Sequence, residues 1–89
     1  MRIVYTNQFK KDYKRAQKQN KDVNKLRVVI DKLVAKEKLD LRYRDHPLSG
    51  NWKGFRDCHL EPDCVLIYKM SEEALILERT GSHSELFKK

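Results

Sequence analysis

The sequence predicts an α+β fold: a single small domain of order βααβββ(α), with a mostly antiparallel four-stranded sheet packed on an α-helical hairpin. Three observations predict it. Two amphipathic helical stretches follow a short β-rich opening, with only a brief break between them. Three β-rich runs separated by turn signals fill most of the second half. The 89 residues leave room for one core, and no repeat, low-complexity tract or linker divides them.

"RIVY" (Arg2–Tyr5) is the opening strand. Thr6 or Asn7 can cap a helix running to about Gln19, with Phe9, Tyr13 and Ala16 on one face and Lys10, Lys11, Lys14 and Lys18 on the other. "NKD" (Asn20–Asp22) breaks the pattern. A second helix follows, striped by Val23, Leu26, Ile30 and Leu33 and widened by Val29 and Val34. Helices joined so briefly form an αα-hairpin. From Lys38 to Asn51 no period is sustained: Pro47 forces His46 to be extended, and Ser49-Gly50-Asn51 supplies a turn. Strands are expected at about Lys53–Leu60, Cys64–Met70 and Ala74–Thr80, linked as hairpins through "EP" and "SEE". Ser82 and Glu85 then have the spacing of a capping box, which predicts one turn of helix starting at His83, with N–H groups open to a phosphate.

A chain this short buries only about 60% of the surface its unfolded form exposes, so polar groups in its interior need a reason. Its 39% hydrophobic and 37% charged content describes a globular domain, not a disordered one. The net charge of +7 favours a polyanionic partner such as nucleic acid, anionic membrane or an acidic protein, with plain solubility as the simpler reading. The longest apolar run is "CVLIY", and "MRIVYTNQF" lacks the apolar core of a signal peptide; the expectation is a cytoplasmic protein without a membrane span. If the chain folds back through "LEPD", His59 faces Cys64 and Cys58 lies on the opposite face. A disulfide is then badly aimed, and both cysteines read as small core residues.

Alternation along the first strand of the closing sheet puts Arg56, Cys58 and Leu60 on one side and Lys53, Phe55, Asp57 and His59 on the other. Cys58 and Leu60 suit the face against the helices, and Arg56 suits it less well. The other side reads as an open face carrying ionisable groups. The three histidines all stand where exposure has a local reason: His46 before a proline, His59 on the open face, His83 beside a cap.

Histidine exchanges protons near neutrality. Metal-free RNA cleavage needs two such transfers: a base takes the ribose 2′-OH proton and an acid protonates the departing 5′ oxygen. Lys53, Arg56 and Arg79 are candidates to bind phosphate and offset charge on the phosphorane, and Asp57 and Asp63 to orient the histidines. The rival metal site finds His46, His59 and His83 separated by 13 and 24 residues, which matches no compact zinc spacing. No G-x-S-x-G or Cys–His context supports a covalent hydrolase. On spacing alone a nuclease and a non-catalytic RNA-binding domain stay equally open.

The stretch "RDHPLSGNWKGFRDCHLEPDCVLIYKM", followed by "LERTGSHSELF", closely resembles the YafQ branch of the RelE-like bacterial toxins. The match is dense from Tyr43 to Phe87, and the helical hairpin agrees in order and length. This resemblance implies a RelE-like fold and a type II toxin: a ribosome-associated endoribonuclease that cuts messenger RNA, uses no cofactor or metal, and is held inactive by a cognate antitoxin. It implies site residues at His46, Asp57, His59, Asp63, His83 and Phe87, with a monomer as the free form. In that scheme His46 and His59 serve the 2′-OH side, Asp57 and Asp63 tune them, His83 is the acid, and Phe87 stacks on a base. The +7 charge suits an acidic stripe on the antitoxin. The same fold also hosts toxins that poison DNA gyrase, so a gyrase poison and a non-catalytic ribosome-binding protein are the alternatives.

Overall fold

The computed structural model describes residues 1–87. β1 (Arg2–Tyr5) leads into α1 (Asn7–Lys18) and α2 (Val23–Val34). Thr6 caps α1 by accepting from the Phe9 N–H, and Asp22 caps α2 by accepting from Asn24. After a 3₁₀ turn at Leu41–Tyr43 come β2 (His46–Pro47), a second 3₁₀ turn at Gly50–Trp52, and β3 (Arg56–Glu61), β4 (Cys64–Met70) and β5 (Ala74–Gly81). α3 (His83–Leu86) is the single expected turn, with both hydrogen bonds of its capping box formed.

The sheet has five strands in the order β1-β5-β4-β3-β2, one more than the sequence predicts. The addition is β2, only two residues long, which pairs antiparallel with β3 through His46 opposite Asp57 and Pro47 opposite Arg56. Two residues carry no period, so alternation could not reveal them. Pro47 is tolerated because this strand is the sheet edge. β1 pairs parallel with β5 and the other pairings are antiparallel. The β3–β4 hairpin is tighter than expected: Glu61 faces Cys64 across a Pro62–Asp63 turn, and a register shift between His59 and Glu61 leaves His59 facing Val65. Both cysteines are free, and burial pushes the Cys58 thiol up to about 12, as suits an inert core residue.

β4 is buried on both faces over Val65–Tyr68. Leu66 and Tyr68 join Phe9, Leu26, Val29 and Leu33 of the helices in the main core, where Cys58, Leu75 and Leu77 also lie. Val65 and Ile67 point the other way into a second, smaller cluster with Leu86, flanked by Leu48, Trp52, Phe55 and Phe87. The face read as open is therefore half covered, and Asp57 is buried on it at 3% exposure. Among the described residues no helix is long and apolar enough to cross a membrane.

Asp12 is the least expected core residue, 1% exposed on α1. Its carboxylate accepts from Arg79 Nε at 2.7 Å, Arg79 Nη2 at 3.1 Å, the Thr80 N–H at 3.2 Å and Arg15 Nη2 at 3.1 Å. Arg15 Nε reaches on to Glu85 Oε2 at 3.0 Å, which ties α1 and β5 to α3. Gly81 sits inside this knot at φ +153°, and a Cβ there meets Arg15 Nη2 and Glu85 Oε1 at 3.0 Å each. Gly81→Ala is expected to cost about 1–3 kcal/mol through backbone strain and displaced partners. That is a fall in Tm of at least about 4 °C, read by thermal unfolding.

Candidate active site

Strand pairing assembles the centre. Cross-strand register puts His46 and Asp57 on the same face, and the period of two puts His59 beside them. The Pro62–Asp63 turn carries Asp63 to the start of α3, and the capping box with its Arg15 tie fixes α3 so that His83 faces His59. The rings of His46 and His59 are 6.4 Å apart between centroids, and those of His59 and His83 are 5.2 Å apart. Phe87 continues the line 6.0 Å from His83, and Trp52 lies 6.1 Å from Phe87 and 5.7 Å from Phe55.

Each outer histidine has its own carboxylate. His46 Nε2 is 2.9 Å from Asp57 Oδ1, close enough for an ion pair but too oblique for a hydrogen bond, so Oδ1 is buried without a directed donor. The other nitrogen of His46, Nδ1, lies 3.2 Å from the Pro47 carbonyl oxygen. Asp63 Oδ1 is 3.3 Å from His83 Nδ1 and accepts from the His83 backbone N–H at 3.4 Å. Asp63 thus pairs with His83, and His59 has no carboxylate in contact among the described residues. His59 Nδ1 is buried with no hydrogen-bond partner among the described residues, so none of them dictates which nitrogen holds the proton. Burial raises the Asp57 carboxyl above the usual carboxylate range, partly offset by His46, His59 and His83.

Two of the three cations expected at the phosphate, Arg56 and Arg79, are held by carboxylates other than those at the rings. Arg56 lies in register with Tyr68, a main-core residue, and its Nε donates to Asp45 Oδ1 at 3.2 Å, an oxygen that also accepts from Tyr68 Oη at 2.6 Å. Arg79 is committed to Asp12. Lys53 is exposed at the end of the second 3₁₀ turn and makes no ion pair among the described residues. Nor is the start of α3 an open phosphate seat: the Ser82 N–H goes to Glu85, the His83 N–H to Asp63, and the Glu85 N–H to Ser82 Oγ. Alternation along β3 missed Trp52 and a cleft of about 670 Å³ beside His59 and His83, because both depend on loops. The signal for Trp52 was its place in "NWKGF", an aromatic beside a turn with no helical or strand period to serve. Among the described residues no group of three or more His, Cys, Asp or Glu is arranged to hold a metal ion.

Comparison with known proteins gives consistent matches over nearly the whole chain. A family model described as "Bacterial toxin of type II toxin-antitoxin system, YafQ" matches residues 1–88. The mRNA interferase toxin YafQ of Escherichia coli K12 is 50% identical over 86 residues, 96% of this chain and 94% of the relative. The structure is similar to a chain of the E. coli DinJ–YafQ complex, with a TM-score of 0.90 and 49% identity over 98% of this chain and 99% of that one. It is also similar to a copper-bound mutant toxin from Helicobacter pylori, with a TM-score of 0.93 and 42% identity over the same shares.

Proposed function

The chain belongs to the YafQ family of bacterial type II toxins, and on that premise we propose that it is an mRNA interferase cutting ribosome-bound message by histidine acid–base chemistry. One observation carries the reading: three imidazoles stand in sequence, His59 lying 6.4 Å from His46 and 5.2 Å from His83 between centroids, with the outer two each faced by a carboxylate. The chemistry needs a base and an acid on opposite sides of one phosphorus. His59, the middle ring, with no carboxylate in contact among the described residues, is the base that takes the 2′-OH proton. O2′ attacks the adjacent phosphorus, the P–O5′ bond breaks, and His83 gives its proton to O5′. The products are a 2′,3′-cyclic phosphate and a 5′-hydroxyl end. Asp63 offsets the charge that His83 carries when protonated, which opposes the unfavourable helix N-terminus. His46, with an oxygen acceptor near each nitrogen, serves the 2′-OH side with Asp57 as its anion. Phe87, backed by Trp52, is the platform for a base.

The copper-bound relative raises one specific rival, a metal-assisted cut at the same rings. Acid–base chemistry predicts cleavage by the purified toxin at an unchanged rate after exhaustive chelation, whereas metal assistance predicts loss of activity and its return on adding back the ion. The DinJ complex of the E. coli relative supports a protein antitoxin as partner here. Co-expression of an antitoxin encoded beside this chain is expected to restore growth, and the +7 charge predicts an acidic contact segment on it. Gyrase poisoning and plain ribosome binding both predict that no new RNA ends form on translated message. Cutting of translated message would also place the protein in the cytoplasm.

A further inference from the structure

We propose that the cleft beside His59 and His83 is a second phosphate site for RNA, with Arg44 as its principal ligand; this deepens the RNA-cleaving reading and rests on it. The cleft holds about 670 Å³ and is walled by His59 and His83 on one side. Its other walls bring in three cations, Lys25, Arg42 and Arg44, against one carboxylate, Glu61. A strand whose scissile phosphate sits at the histidines must pass along one of the surfaces adjoining them, and this one is concave and carries an excess of two positive charges.

The three cations differ in what already holds them. Lys25 Nζ is 3.2 Å from Glu61 Oε1, so most of its charge is answered within the fold. Arg42 donates from Nη2 to Tyr43 Oη at 3.1 Å, and its guanidinium carbon lies 5.0 Å over the Tyr43 ring. The Arg44 side chain makes no hydrogen bond or ion pair among the described residues and is exposed, while its backbone N–H donates to the Leu41 carbonyl oxygen at 3.0 Å. Its backbone is also left-handed, at φ +49°, where it closes the 3₁₀ turn. Glycine or asparagine adopts that conformation more readily, so the turn alone gives no reason for arginine. Tyr43, 8% exposed in the main core, anchors the turn immediately before it, which holds the guanidinium at the cleft instead of on a free loop. A planar fork of donors suits a phosphate better than a lysine does.

The test pairs Arg44→Asn and Arg44→Lys with synthetic messages in which single linkages around the cut are replaced by neutral methylphosphonates. Asparagine keeps the left-handed turn, and thermal unfolding checks that the fold is intact. On wild type, one neutral linkage next to the cut is expected to lower kcat/KM about tenfold, the worth of one charged contact. On Arg44→Asn kcat/KM is about tenfold lower with the natural message, the loss falling in KM, and that same linkage then changes nothing further. Arg44→Lys retains part of the sensitivity. The proposal is overturned if Arg44→Asn cuts like wild type, if it keeps the wild-type sensitivity at every linkage, or if it weakens only antitoxin binding. Failure of the parent reading looks different: a wild-type protein that leaves the message uncut removes both, while a cutting wild type with an indifferent Arg44 removes the phosphate site alone.

Discussion

His83→Gln is expected to slow cleavage of ribosome-bound message by about 10²–10⁴-fold while leaving circular dichroism and thermal unfolding close to wild type. The expected size follows from removing the group assigned to protonate the leaving oxygen; glutamine retains hydrogen-bonding capacity but cannot exchange a proton. The expected survival of the fold follows from what holds α3. Its first turn is fixed by the Ser82–Glu85 capping box, the Arg15–Glu85 pair and buried Leu86, none of which uses the imidazole. The His83 backbone N–H, which reaches toward Asp63, is retained in the variant. Asp63→Asn is the milder companion: it leaves the acid in place and removes the anion 3.3 Å from it. Its effect should be a shifted alkaline limb of the rate–pH profile, the limb on which the acid loses its proton, which a merely structural Asp63 would not produce. Full activity in folded His83→Gln would sink the assignment.

Asp57→Asn is expected to separate stability from activity. The folded carboxyl titrates above its ordinary value of 3.8 because burial penalises the anion more than His46, His59 and His83 compensate it. A group whose folded value is raised contributes its stability below the unfolded value, and loses that contribution as pH rises through the folded one. At neutral pH the ionised, 3%-exposed Asp57 therefore weakens the fold. Asparagine in its place should raise Tm at pH 7, with the gain disappearing only as pH falls well below the ordinary value of 3.8, where the wild-type carboxyl is protonated in both states. Cleavage should fall by about 10–100-fold in the same variant, because His46 loses its anion and neutral amide cannot restore it. Unfolding midpoints from about pH 3 to pH 8, set beside cleavage rates, check both halves. A variant less stable than wild type at pH 7 would show that Asp57 holds the fold together instead of straining it for the site.

Much of this centre was legible before any coordinate, and the reasons differ by residue. Period two along β3 correctly gave Asp57 and His59 a common face, since a strand leaves its side chains no other choice. The Ser82–Glu85 spacing gave α3 because a capping box is a local device written within four residues. What stayed hidden depends on distant partners. β2 is two residues whose only reason to be a strand is the β3 edge opposite them. Asp12 stands three residues after Phe9, on the buried stripe of α1, and a carboxylate there signalled a buried partner; finding Arg79 needed the β5 neighbour 67 residues away. Arg56 and Arg79 looked like free cations because sequence gives charge but not occupancy, and Asp45 and Asp12 had already taken them. Asp63 lies in the Pro62–Asp63 turn, outside the strand alternation, and its pairing with His83 rests on a residue 20 positions away.

The most direct measurement is the chemistry of the new RNA ends after brief induction of the toxin. Attack by the 2′-OH, with His59 as base and His83 as acid, leaves 5′-hydroxyl ends downstream of each cut and cyclic or 3′-phosphate ends upstream. Sequencing should recover the downstream fragments only after enzymatic 5′-phosphorylation, and should find none in a His59→Ala strain. Downstream fragments that already carry 5′-phosphate would mean that water, not the neighbouring hydroxyl, attacked the phosphorus, and would contradict the account at its centre.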